Sequence, residues 1–145
     1  MNLGQMLLVL LAIVLMTTIV LTLNNSFRNQ VDMAVRNVYF TQGVKIADHV
    51  FQRYEAQLIS DRLTFDNMRA QLSVPGGFHF GTESISGAVY NINVLSVPSD
   101  LTGNPLPLGT LSDHQRVTVS IRAEIGDRII EIGTGEFPFT KVFSR

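Results

Sequence analysis

The chain has 145 residues, a formal net charge of −1 and no cysteine. That length holds one modest domain. The charge offers no electrostatic grip on nucleic acid, and the missing thiols exclude a disulfide framework, a thiolate zinc site and a cysteine nucleophile.

Residues 1–23 contain no Asp, Glu, Lys, Arg or His. From Met6 the chain reads MLLVLLAIVLMTTIVLTL, in which only Thr17, Thr18 and Thr22 are polar. A helix satisfies such hydroxyls by bonding them back to its own carbonyls. At 1.5 Å per residue the run spans roughly 27–31 Å, the thickness of a bilayer's hydrocarbon core. A cleavable secretory signal begins with basic residues and ends at an Ala-x-Ala-like site; this segment begins Met1-Asn2-Leu3-Gly4-Gln5 and ends Asn24-Asn25-Ser26. A helix that is apolar all round must be surrounded on every side, and the rest of the chain is too small to do so. A retained membrane helix is the expectation, with residues 1–26 as its domain.

The helical pattern continues beyond the apolar run. Phe27, Val31, Val35 and Val38, then Ile46, Val50, Tyr54 and Leu58, recur at helical spacing. Arg28, Asp32 and Arg36 form an alternating-charge ladder at i, i+4 steps. Gly43 is either a tolerated helix glycine or a soft point. The spacing predicts a helix over about residues 3–58, roughly 80 Å long. Ser60-Asp61 is read as the cap of a further helical piece reaching Leu72, so that residues 27–72 form an amphipathic continuation. Pro75-Gly76-Gly77 ends it.

Residues 73–145 read as a β-rich head. The stretch 76–87 is taken as an exposed loop, 88–97 as a strand stopped by Pro98, and 98–114 as a second exposed loop. Residues 116–125 alternate cleanly, and Gly126-Asp127 supplies a two-residue turn of type II′. That loop sets the register of a hairpin over 116–133: Ala123 faces Ile130, Ile121 faces Ile132 and Arg122 faces Glu131. The chain runs on through Phe137-Pro138-Phe139 to Val142-Phe143, where Pro138 suits a strand margin. The resulting expectation is an α+β fold, in which the second half of a long helix covers the apolar face of a small antiparallel sheet of three to four strands.

Catalytic signals are weak. His49, His79 and His114 are scattered, with no spacing that supplies three or four zinc ligands. The run Asp100-Leu101-Thr102-Gly103-Asn104 has too few carboxylates for calcium and reads as a turn. Gly133-Thr134-Gly135 sits late in a strand, where no nucleotide fingerprint belongs. Neither enzyme activity nor a cofactor is expected.

This layout resembles the type IV pilins and pseudopilins. The start, Met1-Asn2-Leu3-Gly4-Gln5-Met6-Leu7-Leu8-Val9-Leu10, aligns without gaps with the mature start of that family, with Leu3 at a preferred leucine and Gln5 at the family's glutamate. The strand beginning at Gln115 is similar to the second head strand of many members. Departures are the neutral Gln5, Thr22 where a kinking proline is common, and the absence of a cysteine pair. A neutral Gln5 accepts only a hydrogen bond weaker than a charge-assisted one. The resemblance implies a structural subunit held in the inner membrane by a single pass, with its head outside. Assembly machinery then extracts it into an extracellular helical polymer of its own copies. Packing would run through Met1, Leu3, Gln5, Leu7, Leu10, Val14, Phe27 and Val31. A minor pseudopilin of a secretion system, or an anchored binding module that never polymerises, are the alternatives.

Overall fold

A computed structural model describes residues 2–107, 109–135 and 138–145. Met1 and Phe137, both singled out above, lie outside the described residues. The chain is α+β, with helices α1 (Leu3–Ile59) and α2 (Phe65–Leu72) followed by strands β1 (Phe78–Ile85), β2 (Ala88–Ser99), β3 (His114–Ile125), β4 (Arg128–Ile132) and β5 (Phe139–Ser144). Contacts divide it into two compact units, with the boundary between Val38 and Tyr39.

The first unit is helical. Every residue from 2 to 38 is exposed. Thr17, Thr18 and Thr22 donate to the carbonyls of Ile13, Val14 and Thr18, each at 2.8 Å. Three hydroxyls are thereby satisfied inside an apolar helix, as the sequence pattern requires.

The second unit is the head. Its antiparallel sheet runs β1-β2-β3-β4, with β5 also paired to β3. The core face carries Tyr90, Ile92 and Val94 from β2, Val117, Val119 and Ile121 from β3, and Ile132 from β4. Ile46, Ala47, Val50, Phe51 and Tyr54 of α1 cover it together with Phe65, Met68 and Leu72 of α2. Burying each such aliphatic or aromatic side chain is worth about 1.5–3 kcal/mol. The apolar side of α1 at residues 46–54 is therefore what makes an open sheet stable in water.

The hairpin register holds as read: Ala123 pairs with Ile130, Ile121 with Ile132 and Arg122 with Glu131. Gly126 has φ of 56°, the left-handed first position that a type II′ turn demands. Arg122 also lies 3.5 Å from Glu124 on its own strand.

Several local expectations change. The stretch 76–87 is largely strand β1 rather than loop. Its alternation is masked by a bulge between His79 and Gly81, which reverses the facing of the residues beyond it. The turn into β2 is Ser86-Gly87, with φ of 52° and 79°, the two positive values of a type I′ turn. Pro98 does not stop β2; it pairs with Gln115, and Ser99 follows it. β1 reaches only as far as Val94, so the N–H that proline lacks is not needed by β1. Ser60-Asp61 ends α1 instead of starting a helix: Arg62 N–H donates to the Gln57 carbonyl at 3.0 Å and Asp61 N–H to that of Leu58 at 3.3 Å. With Asp61 at φ 53°, this is a Schellman closure. The cap of α2 is Thr64, whose hydroxyl accepts from Asn67 N–H at 3.3 Å.

Gly43 is neither soft nor idle. A Cβ there would stand 2.9 Å from Ile132 Cγ2, so the missing side chain sets how closely α1 approaches β4.

Candidate functional site

The feature that most needs a functional account is the outward face of α1. One helix among the described residues is long and apolar enough to cross a membrane, and its most apolar stretch has no part buried within the chain. Leu10 is 59% exposed and Val14 56%. A soluble monomer does not leave a contiguous apolar surface of this size bare.

The expected packing residues fall into distinct groups. Leu3, Leu7, Leu10 and Val14 recur at steps of four, three and four and so share one side of α1. Gln5 stands two residues from Leu3, on another side. It is already engaged locally. Its Oε1 accepts from Asn2 N–H at 3.4 Å, while Gln5 N–H donates to the Asn2 carbonyl at 2.8 Å. The side-chain bond is the return half of a capping box, in which a glutamine three positions inside the helix serves the cap residue. Sequence reasoning missed this role, although Asn-x-x-Gln was there to signal it. Phe27 and Val31 lie one turn apart further along, both exposed, and Val35 and Val38 continue their line.

Within the head, many polar groups bond to one another, whereas, among the described residues, Ser99 Oγ, Gln115 Nε2 and Arg116 Nε are buried without a hydrogen-bond partner. Tyr90 donates its hydroxyl to Gln42 Oε1 in a short contact. Burial raises the Tyr90 pKa above the ordinary phenol value, and neighbouring Tyr39 adds to the rise. Tyr54 is also raised, by burial first, with Arg53 acting against it. The same Arg53 stacks 5.0 Å over the ring of Phe80, which ties β1 to α1. His79 Nδ1 lies 3.4 Å from Asn93 Oδ1, and His114 Nδ1 lies 2.8 Å from Ser144 Oγ across the β3–β5 pair. Among the described residues, no group of three His, Cys, Asp or Glu side chains is placed to hold a metal ion.

The Asp100 loop is a self-contained Asx turn. Oδ1 accepts from Thr102 N–H at 2.9 Å, Thr102 Oγ1 at 2.7 Å and Asn104 N–H at 2.8 Å, and Oδ2 accepts from Asn104 Nδ2 at 3.0 Å. These bonds, the Asn104 side chain first, hold the carboxyl at about 2 instead of the ordinary 3.8. A depressed folded pKa stabilises the loop above the unfolded value, and that contribution disappears as pH falls through about 2. A carbon-detected NMR titration is expected to place the Asp100 midpoint near 2, and Asp100→Asn to remove that titration. A midpoint at the ordinary value would mean that the turn is open in solution.

No protein-family model, characterised protein or solved structure matches this chain.

Proposed function

We propose that the chain is a structural subunit of a type IV pilus-like helical filament. It waits in the inner membrane as a single-pass protein and is packed by its N-terminal helix into an extracellular polymer of its own copies. The observation that carries this reading is that α1 serves two opposite environments. Residues 46–54 contribute to the head's own core, while residues 3–38 lie exposed throughout and are apolar and uncharged as far as Leu23. An apolar helix of that kind is compatible first with lipid and then with other helices. Passage from one to the other needs no change in the helix, because its backbone bonds are internal in both.

The partners in this reading are lipid before assembly, the pilus assembly machinery, and other copies afterwards, with no role for nucleic acid or a cofactor. The test is electron microscopy of filaments sheared from the source cells, with mass spectrometry of the same fraction. The expected result is ordered fibres dominated by this chain, with a helical core. A chain confined to the detergent-soluble membrane fraction, with no fibre containing it, would replace this reading with an anchored module. A chain present at only a few copies per fibre would make it a minor pseudopilin.

A further inference from the structure

The head carries a groove of about 350 Å³ between α1 and the start of β5. Its floor is Ala47 and Phe51, both buried, and Phe139 walls it, with Phe40 tilted against Phe139 at a ring separation of 6.0 Å. Val44, 41% exposed, stands at its lip with Lys45 and Asp48. Elsewhere on α1, Phe27, Val31, Val35 and Val38 form an exposed ridge flanked by Arg28, Asp32 and Arg36. These charges make the ridge a poor lipid surface.

Ridge and groove match in sequence register. Phe27, Val31 and Val38 have apolar counterparts thirteen positions on, Phe40, Val44 and Phe51 (27 to 40, 31 to 44, 38 to 51), while Val35 falls on Asp48. The same offset brings Asp32 level with Lys45, and Arg36 to within one residue of Asp48. A parallel neighbour shifted by thirteen positions in sequence register thus presents three apolar pairs and the Asp32–Lys45 opposite-charge pair.

From this we infer that the groove beside β5 receives the ridge at residues 27–38 of a second copy of this chain. Because ridge and groove are different surfaces, the contact is heterologous, and repetition makes an open polymer rather than a closed dimer. The inference deepens the filament reading and rests on it for the parallel orientation of the copies.

The chain has no cysteine, so introduced thiols report only themselves. Full-length chain carrying both Val31→Cys and Val44→Cys, oxidised in the cells that make it, is expected to give a ladder of covalent multimers. Each single variant should stay monomeric, as should Val31→Cys combined with Ile129→Cys, whose partner thiol lies away from the groove. Filaments of the double variant that run as monomers would overturn the contact and leave the filament reading intact. Dimers from Val31→Cys alone would overturn it in favour of a symmetric helix pair. A ladder from membranes without any fibre would uphold the contact and overturn the filament. A second measurement does not depend on thiols: Asp32→Lys should cut fibre yield by about tenfold through like-charge placement beside Lys45, and Lys45→Asp in the same chain should restore it. Failure of that rescue, with a head that still melts normally, would overturn the register.

Discussion

On the proposed filament reading, replacing Leu10 or Val14 by aspartate is expected to abolish fibres while the head remains folded. Both side chains lie on one side of α1 and are open to whatever surrounds the helix. A carboxylate at the middle of such a segment costs about 2.5–3.5 kcal/mol in a bilayer. In a dry packed helical core it costs more, because an unpaired charge there has nothing to replace its lost water. The addition step feels only the excess of the core cost over the bilayer cost, and an excess of about 3 kcal/mol is a factor of roughly 100 in each step, enough to end growth. The head contains neither residue in its core, so its thermal unfolding should not move. The comparison to make is fibre yield against membrane-bound chain, by immunoblot of sheared and detergent fractions. Normal fibres from either variant would show that this side of the helix is not packed in the polymer.

The second large effect is expected at Gly133, between β4 and β5. Its φ is +75°, and a Cβ there would stand 2.5 Å from Phe139 Cδ2 and 2.7 Å from the Val119 carbonyl oxygen. The carbonyl belongs to β3, the sheet's central strand, so it has nowhere to retreat. Gly133→Ala should cost about 3 kcal/mol from left-handed strain and overpacking combined, lowering the melting temperature of the head by about 12–24 °C. Gly126→Ala is the control. Its φ is +56° but open space surrounds it, so only the conformational cost of about 1–2 kcal/mol remains. Equal shifts for the two variants, followed by circular dichroism in detergent, would show that the close approach to Val119 carries no weight.

What could be read from the residues follows from how local the determining physics is. The hairpin of β3 and β4 was legible because turn length, alternation and cross-strand charge all point to one register. The threonine back-bonds were legible because an apolar helix gives a hydroxyl no other acceptor. β1 was obscured by its own bulge, which breaks the period-two signal at Phe80-Gly81, although Ser86-Gly87 marked the turn. Asp61 was ambiguous in principle, since aspartate tolerates the left-handed conformation at a helix end and also caps a helix start. Gly43 was beyond reach: its meaning lies in Ile132, a residue distant in sequence and brought opposite by the tertiary fold. The packing role proposed for Leu3, Gln5, Leu7, Leu10, Val14, Phe27 and Val31 concerns other molecules, and a single chain places these side chains without supplying their neighbours.

The arrangement around β3 has a consequence for how the head comes apart. β2 covers one edge of β3 along almost its whole length, while the other edge is shared end to end, with β5 on residues 114–119 and β4 on 121–125. Two short strands in tandem do not open together, because neither carries hydrogen bonds to the other's half of β3. Either end of that edge can therefore fray alone while β3 keeps its remaining partners. Amide exchange should accordingly be slowest in the middle of β3. Opening should proceed from the two outer segments inward, which makes the last strand of the chain one that can be lifted without unravelling the fold.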